Sequence, residues 1–162
     1  MSIRLRIIAL LVLVAGVAAC SSGSEAPSLT PESEAELSAR GLALLCDQHC
    51  IGEELSISDH EYVTVDPPTP GDSLTDVQKT AITRQFTDVE FVADDVAQAA
   101  HDQGVFIFVV GPIEEEDNGL VRVEVSAVGP DAVFTEVFSF SWDGDSWVPA
   151  SSGTNVTVST LP

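Results

Sequence analysis

The segment from Val105 to Val128 constrains this chain more than any other. Val105-Phe106-Ile107-Phe108-Val109-Val110 is an unbroken β-branched and aromatic run, the composition of a central strand. Asn118-Gly119 follows, the favoured dipeptide of a tight hairpin turn. Beyond it Val121, Val123 and Val125 alternate with Arg122, Glu124 and Ser126, so one face of that strand is apolar. Gly129-Pro130-Asp131 turns the chain again. Phe134, Phe138, Phe140 and Trp142 then share one face, interrupted by Glu136. Asp143-Gly144 makes the next turn, and Trp147-Val148 begins the return. Val156 and Val158 suit an edge strand.

Helical signals come earlier. Thr30-Pro31-Glu32 reads as a cap followed by Pro at the first helical position. Leu37, Gly41, Leu44 and Leu45 continue at helical spacing, which predicts a helix near 31–46. Gly41 costs it about 1 kcal/mol relative to Ala. Thr75-x-x-Gln78 resembles a capping box and opens a second helix near 75–86. A third, from Asp94 to Gln103, is stopped by Gly104. Between them Tyr62–Val65 forms a short strand ending at Pro67-Pro68, Pro70-Gly71 turns, and Val89 and Phe91 alternate with acids. The implied class is α+β, with N-terminal helices packed on one face of a C-terminal antiparallel β-meander.

The N-terminus has a different logic. Arg4 and Arg6 precede an uncharged stretch from Ile7 to Ala19, too short for the roughly 20 apolar residues of a spanning helix. Basic, apolar and small-residue regions in that order describe a signal peptide. Val17-Ala18-Ala19-Cys20 resembles the lipobox of bacterial lipoproteins. The resemblance implies a diacylglycerol group on the Cys20 thiol, cleavage before Cys20, and acylation of the new amino group. An ordinary Ala-x-Ala cleavage signal is the competing reading. The implied organisation is a cleaved signal peptide over 1–19, a lipidated flexible tether over 20–30 and a single α+β domain over 31–162. The implied location is the extracytoplasmic side of the cell membrane, reached through the lipid. One acyl chain anchors weakly and two anchor stably.

Charge narrows the partners. The chain has 26 acidic and 6 basic residues and a formal net charge of −20. Past Ala19 only Arg40, Lys79, Arg84 and Arg122 are basic. Nucleic-acid binding needs clustered Lys and Arg, and anionic headgroups repel such a body. Spread acids serve solubility; a cationic partner is the sharper alternative.

With Cys20 assigned to lipid, Cys46 and Cys50 remain, in Cys-Asp-Gln-His-Cys. In an exported protein two such thiols most simply form a disulfide, and a helix end lets their Cα atoms approach. The rival is a metal-handling or redox site made of Cys46, His49 and Cys50, with His60 as a further candidate donor. Its spacing is similar to that of copper-handling proteins related to thioredoxin, without their prolines or preceding strand. Such a donor set would suit Cu(I) or Zn(II). Glu114-Glu115-Glu116-Asp117 is read as a solvated hairpin tip ahead of a calcium site, because consecutive strand residues point apart. His60-Glu61 begins a zinc-protease motif that fails at Thr64. His101 reads as a surface histidine, Asn155-Val156-Thr157 as an unused sequon, and Trp142 and Trp147 as core rather than a binding platform. No catalytic residue, cofactor or resident metal is assigned. The function expected is non-catalytic binding in the cell envelope.

Overall fold

The computed structural model describes residues 26–50, 55–65, 68–93, 95–150 and 157–160. Helix α1 (Pro31–His49) opens the chain. Thr30 caps it: Ser33 N–H donates to Thr30 Oγ1 at 3.3 Å, and Thr30 N–H donates to Ser33 Oγ at 2.7 Å. Strands β1 (Leu55–Val65) and β2 (Pro68–Ser73) follow. Helix α2 (Asp76–Gln85) carries the capping box read from Thr75 and Gln78, with Gln78 N–H on Thr75 Oγ1 at 3.2 Å and Thr75 N–H on Gln78 Oε1 at 2.9 Å. Strand β3 (Val89–Val92) leads to helix α3 (Val96–Gln103), which ends at Gly104 with φ +68°. Then come β4 (Ile107–Glu115), β5 (Val121–Val128), β6 (Ala132–Trp142), β7 (Trp147–Pro149) and β8 (Thr157–Thr160).

The class is α+β. The eight strands make one sheet, ordered β2-β1-β4-β5-β6-β7, with β3 also on β1 and β8 also on β6. From β4 to β7 each strand pairs antiparallel with the next. The meander stops there. β1 pairs in parallel with β3 (Ile57 with Phe91) and with β4 (Ile57 with Phe108). Parallel neighbours need a long crossover, and the segment β2-α2-β3-α3 between β1 and β4 supplies it. β8 does not extend the meander past β7; it returns to pair with β6, Phe134 opposite Val158.

Packing on a single face holds for α1 and α2 only. Leu37, Leu42 and Leu45 of α1 and Ile82 of α2 share a core with Phe108, Val110, Val123, Val125 and Phe140. Val96 and Ala100 of α3 share a second core with Ile107, Val109, Val128 and Val133. Successive β4 residues point to opposite faces, so α3 covers the reverse of the sheet. The reason lies in β4: Ile107 to Val110 are all buried, and a run apolar on both faces needs cover on both.

Two boundaries move. β1 starts at Leu55 because Leu55 and Ile57 already alternate with Ser56 and Ser58. β2 contains Pro68 and Pro70, tolerated because it is an edge strand with register shifts against β1.

Candidate functional site

Three places carry the chemistry read from the sequence. Cys20 and its lipobox lie outside the described residues. Cys46 and Cys50 are joined as a disulfide with Cα atoms 4.7 Å apart. Cys50 caps α1, its N–H donating to Cys46 carbonyl at 2.8 Å, so the covalent bond and the last helical hydrogen bond close the same turn. Both cysteines pack against the α1–α2 core. The bond spans a short loop, for which the chain-entropy relation gives about 2 kcal/mol. Cys46→Ser/Cys50→Ser is therefore expected to lower unfolding free energy by that amount in urea titration, and reductant should shift the parent chain to the same midpoint. A midpoint unmoved by reductant would refute this.

The His49 side chain lies outside the described residues. His60 lies on β1, where its Nε2 meets Ser73 Oγ of β2 at 3.2 Å, a contact between ladder partners. Among the described residues no cluster of three His, Cys, Asp or Glu side chains forms a metal site. No described helix is long and apolar enough to cross a membrane.

The acidic hairpin tip is tied down rather than convergent. Glu115 Oε1 accepts from Leu29 N–H at 3.1 Å. Arg122 lies 3.7 Å from Glu114 and 3.6 Å from Glu116. Gly119 takes φ +80° to close the turn. Nearby, burial raises the Glu124 carboxyl above its ordinary range, opposed by Arg122 and assisted by Glu114.

The two tryptophans oppose each other across β6 and β7, edge to face at 5.6 Å. Trp147 is 7% exposed, so it is core rather than platform. Both indole N–H groups are buried without a hydrogen-bond partner among the described residues. The adjoining turn is closed by Asp143, whose Oδ1 accepts from Asp145 and Ser146 N–H, each at 2.9 Å. Those two bonds, Asp145 first, hold its carboxyl below its usual range. Arg40 reaches from α1 to the Trp147 carbonyl and to Glu36, fastening helix to hairpin.

Burial also places one carboxylate where the sequence showed only an interruption. Glu136 is 1% exposed on the aromatic face of β6, between Phe134 and Phe138. On the reverse face Tyr62 is buried, which raises its phenol pKa; hydrogen bonds to Ser58 and the Val96 backbone at the start of α3 oppose that rise.

Described residues also line two hollows. A cleft of about 470 Å³ sits where β1 and β4 bulge, with Glu34, Glu61 and Asp72 on its walls. Gln78 donates to Glu61 there. The larger hollow, about 700 Å³, runs between α1 and α2 over Ala35, Ala39 and Ala81. In the sequence its only signals are the four-residue steps of Glu32, Glu36 and Arg40, of Ala35 and Ala39, and of Asp76, Thr80 and Arg84. Neither hollow joins the cysteines to a histidine. No family model, curated protein or solved structure matches the chain.

Proposed function

We propose that this is a lipid-anchored protein of the cell envelope, tethered through Cys20, whose domain serves a non-catalytic binding role on the extracytoplasmic side. The observation that carries the reading is the order of residues from Arg4 to Cys20, ending in Val17-Ala18-Ala19-Cys20. The Cys46–Cys50 disulfide supports it, because such bonds persist in oxidising compartments. The bond also occupies the two thiols that a metal-handling role would need as thiolates. Charge is compatible with the same arrangement. Residues 26–30 lead into α1 beside Glu115, so the acid-rich hairpin tip lies at the end where the tether arrives. Anionic headgroups would repel that end, and the lipid would hold the protein at the bilayer.

The test is Cys20→Ser in the full chain. The parent is expected in the membrane fraction after a high-salt wash, and the variant is expected soluble, with an altered N-terminus. A variant that still sediments with membranes would end the lipid reading. Intact mass of the native protein separates the roles. A species two hydrogens lighter than the dithiol and free of metal fits the binding role, whereas a metal-loaded dithiol would make Cys46, His49 and Cys50 a metal-handling site.

A further inference from the structure

We propose that residues 26–30 are a docked strap, and that this strap turns the acidic β4–β5 turn toward the bilayer and holds it close to the anchored Cys20. The strap stands on contacts within the chain alone. Its consequence for the bilayer rests on the lipid-anchor reading given above.

The segment is fastened at each end. Leu29 N–H donates to Glu115 Oε1 at 3.1 Å, a bond between residues 86 positions apart. Ala26 and Leu29 are partly buried and pack against the core shared by α1, α2 and the sheet. Thr30 N–H donates to Ser33 Oγ at 2.7 Å, and the Thr30 carbonyl accepts from Glu34 N–H at 2.9 Å, so the segment enters α1 without a loose joint. Pro27 restricts its own φ and biases Ala26 toward extended backbone. That lowers the conformational entropy that docking must overcome.

The docking point decides which end of the domain the anchor can reach. Glu115 stands opposite Val121 at the start of β5, beside the turn that carries Glu114, Glu115, Glu116 and Asp117. Ala26 is three residues before Leu29, so it lies within about 11 Å of it. Six residue steps separate Cys20 from Ala26, at most about 20 Å of chain. An arm that began only at Thr30 would have ten steps and reach about 35 Å.

Charge then favours an upright domain. Lying flat would bring acids from the whole length of the domain against anionic headgroups. Standing on the strapped end brings only those of one turn, and with a Debye length of about 8 Å at physiological salt the rest are screened. An arm of about 20 Å is long enough to clear that layer. It is shorter than β5, Val121–Val128, whose eight residues span about 26 Å. The strap thus sets how far the domain stands off and turns the β5–β6 turn at Gly129-Pro130-Asp131 outward.

Two measurements test this on the full chain. In detergent, where no bilayer takes part, amide exchange at Leu29 is expected to be about tenfold slower than in Glu115→Ala, which removes the acceptor. Glu115 is exposed, so the variant should keep the parent's urea midpoint. The second measurement uses vesicles of phosphatidylcholine and phosphatidylglycerol that carry an acceptor dye on their headgroups. A donor dye at Asp117→Cys is expected to show about threefold more energy transfer than one at Asp131→Cys, since both sites are exposed and lie at opposite ends of β5. Glu115→Ala combined with Leu29→Ser releases the strap and is expected to bring the two values together. Exchange at Leu29 as fast in the parent as in Glu115→Ala would overturn the strap. Equal transfer from the two sites in the parent would overturn the orientation. A chain that exchanges slowly at Leu29 yet does not enter the vesicles would overturn the anchor, and the orientation with it, while leaving the strap in place.

Discussion

Phe140→Ala is expected to remove about 3–5 kcal/mol of unfolding free energy, the range for truncating a fully buried aromatic. Phe140 is 0% exposed and is the largest of the fully buried side chains among the described residues. It stands opposite Val121 on β5 and opposite Pro149 on β7, so both neighbouring strands border it. On the same face it shares one core with Phe138, Trp147 and the leucines of α1. Removing the ring opens a cavity where helix and sheet meet, and surroundings this rigid collapse into it only in part. In urea the midpoint should fall while the slope stays the same, since the surface exposed on unfolding is nearly unchanged. Val63→Ala is the control: Val63 is an exposed valine of β1, and its truncation should stay within about 0.5 kcal/mol. A loss below about 1 kcal/mol at Phe140 would mean that this core is not packed as described.

Gly41→Leu is expected to cost about 3 kcal/mol, at the upper end for overpacking a well-filled core. As a sequence feature Gly41 is a flaw in α1. In the structure it is where the helix backbone comes down on β5. A Cβ at this position would sit 3.1 Å from Val123 Cγ1 and 3.2 Å from Val125 Cγ1. Both valines are fully buried on a strand with neighbours on either side, so neither can give way far. Gly41→Ala sets two effects against each other, a gain of about 1 kcal/mol in helix propensity and two tight contacts, with Val123 and Val125. Gly41→Leu adds three more carbons with no space for them. Ala43→Leu, on the same helix at a half-buried position, controls for bulk alone. If Gly41→Leu proves as stable as Ala43→Leu in thermal and urea unfolding, α1 does not seat on β5 through this glycine.

Gly41 shows why some of the fold was legible and some was not. Features that depend on neighbours in the chain appear where the sequence placed them. Thr30 and Thr75 cap helices, Gly104 and Gly119 take positive φ, and the valines from Val121 to Val125 face one core. Each follows from backbone groups within four residues, or from a period set by local geometry. The cost of a glycine in a helix is local in the same way, but its benefit lies on β5, far along the chain.

The candidate site divides along the same line. Cys46 and Cys50 could be paired from the sequence because a helix end brings them together. The α1–α2 hollow could not, because residues of two separate helices line one surface only when the fold brings the helices together. Local residue order therefore settled the caps, the turns, the strand alternation and the acidic balance of this protein. Tertiary structure alone decided the parallel pairing of β1 with β3 and β4, the burial of Glu136, and the placement of α3 on the reverse of the sheet. The physical reason is that strand pairing and choice of face are set by contacts between distant segments. Those contacts must outweigh the entropy of closing long loops, so they answer to the whole core rather than to any window of sequence.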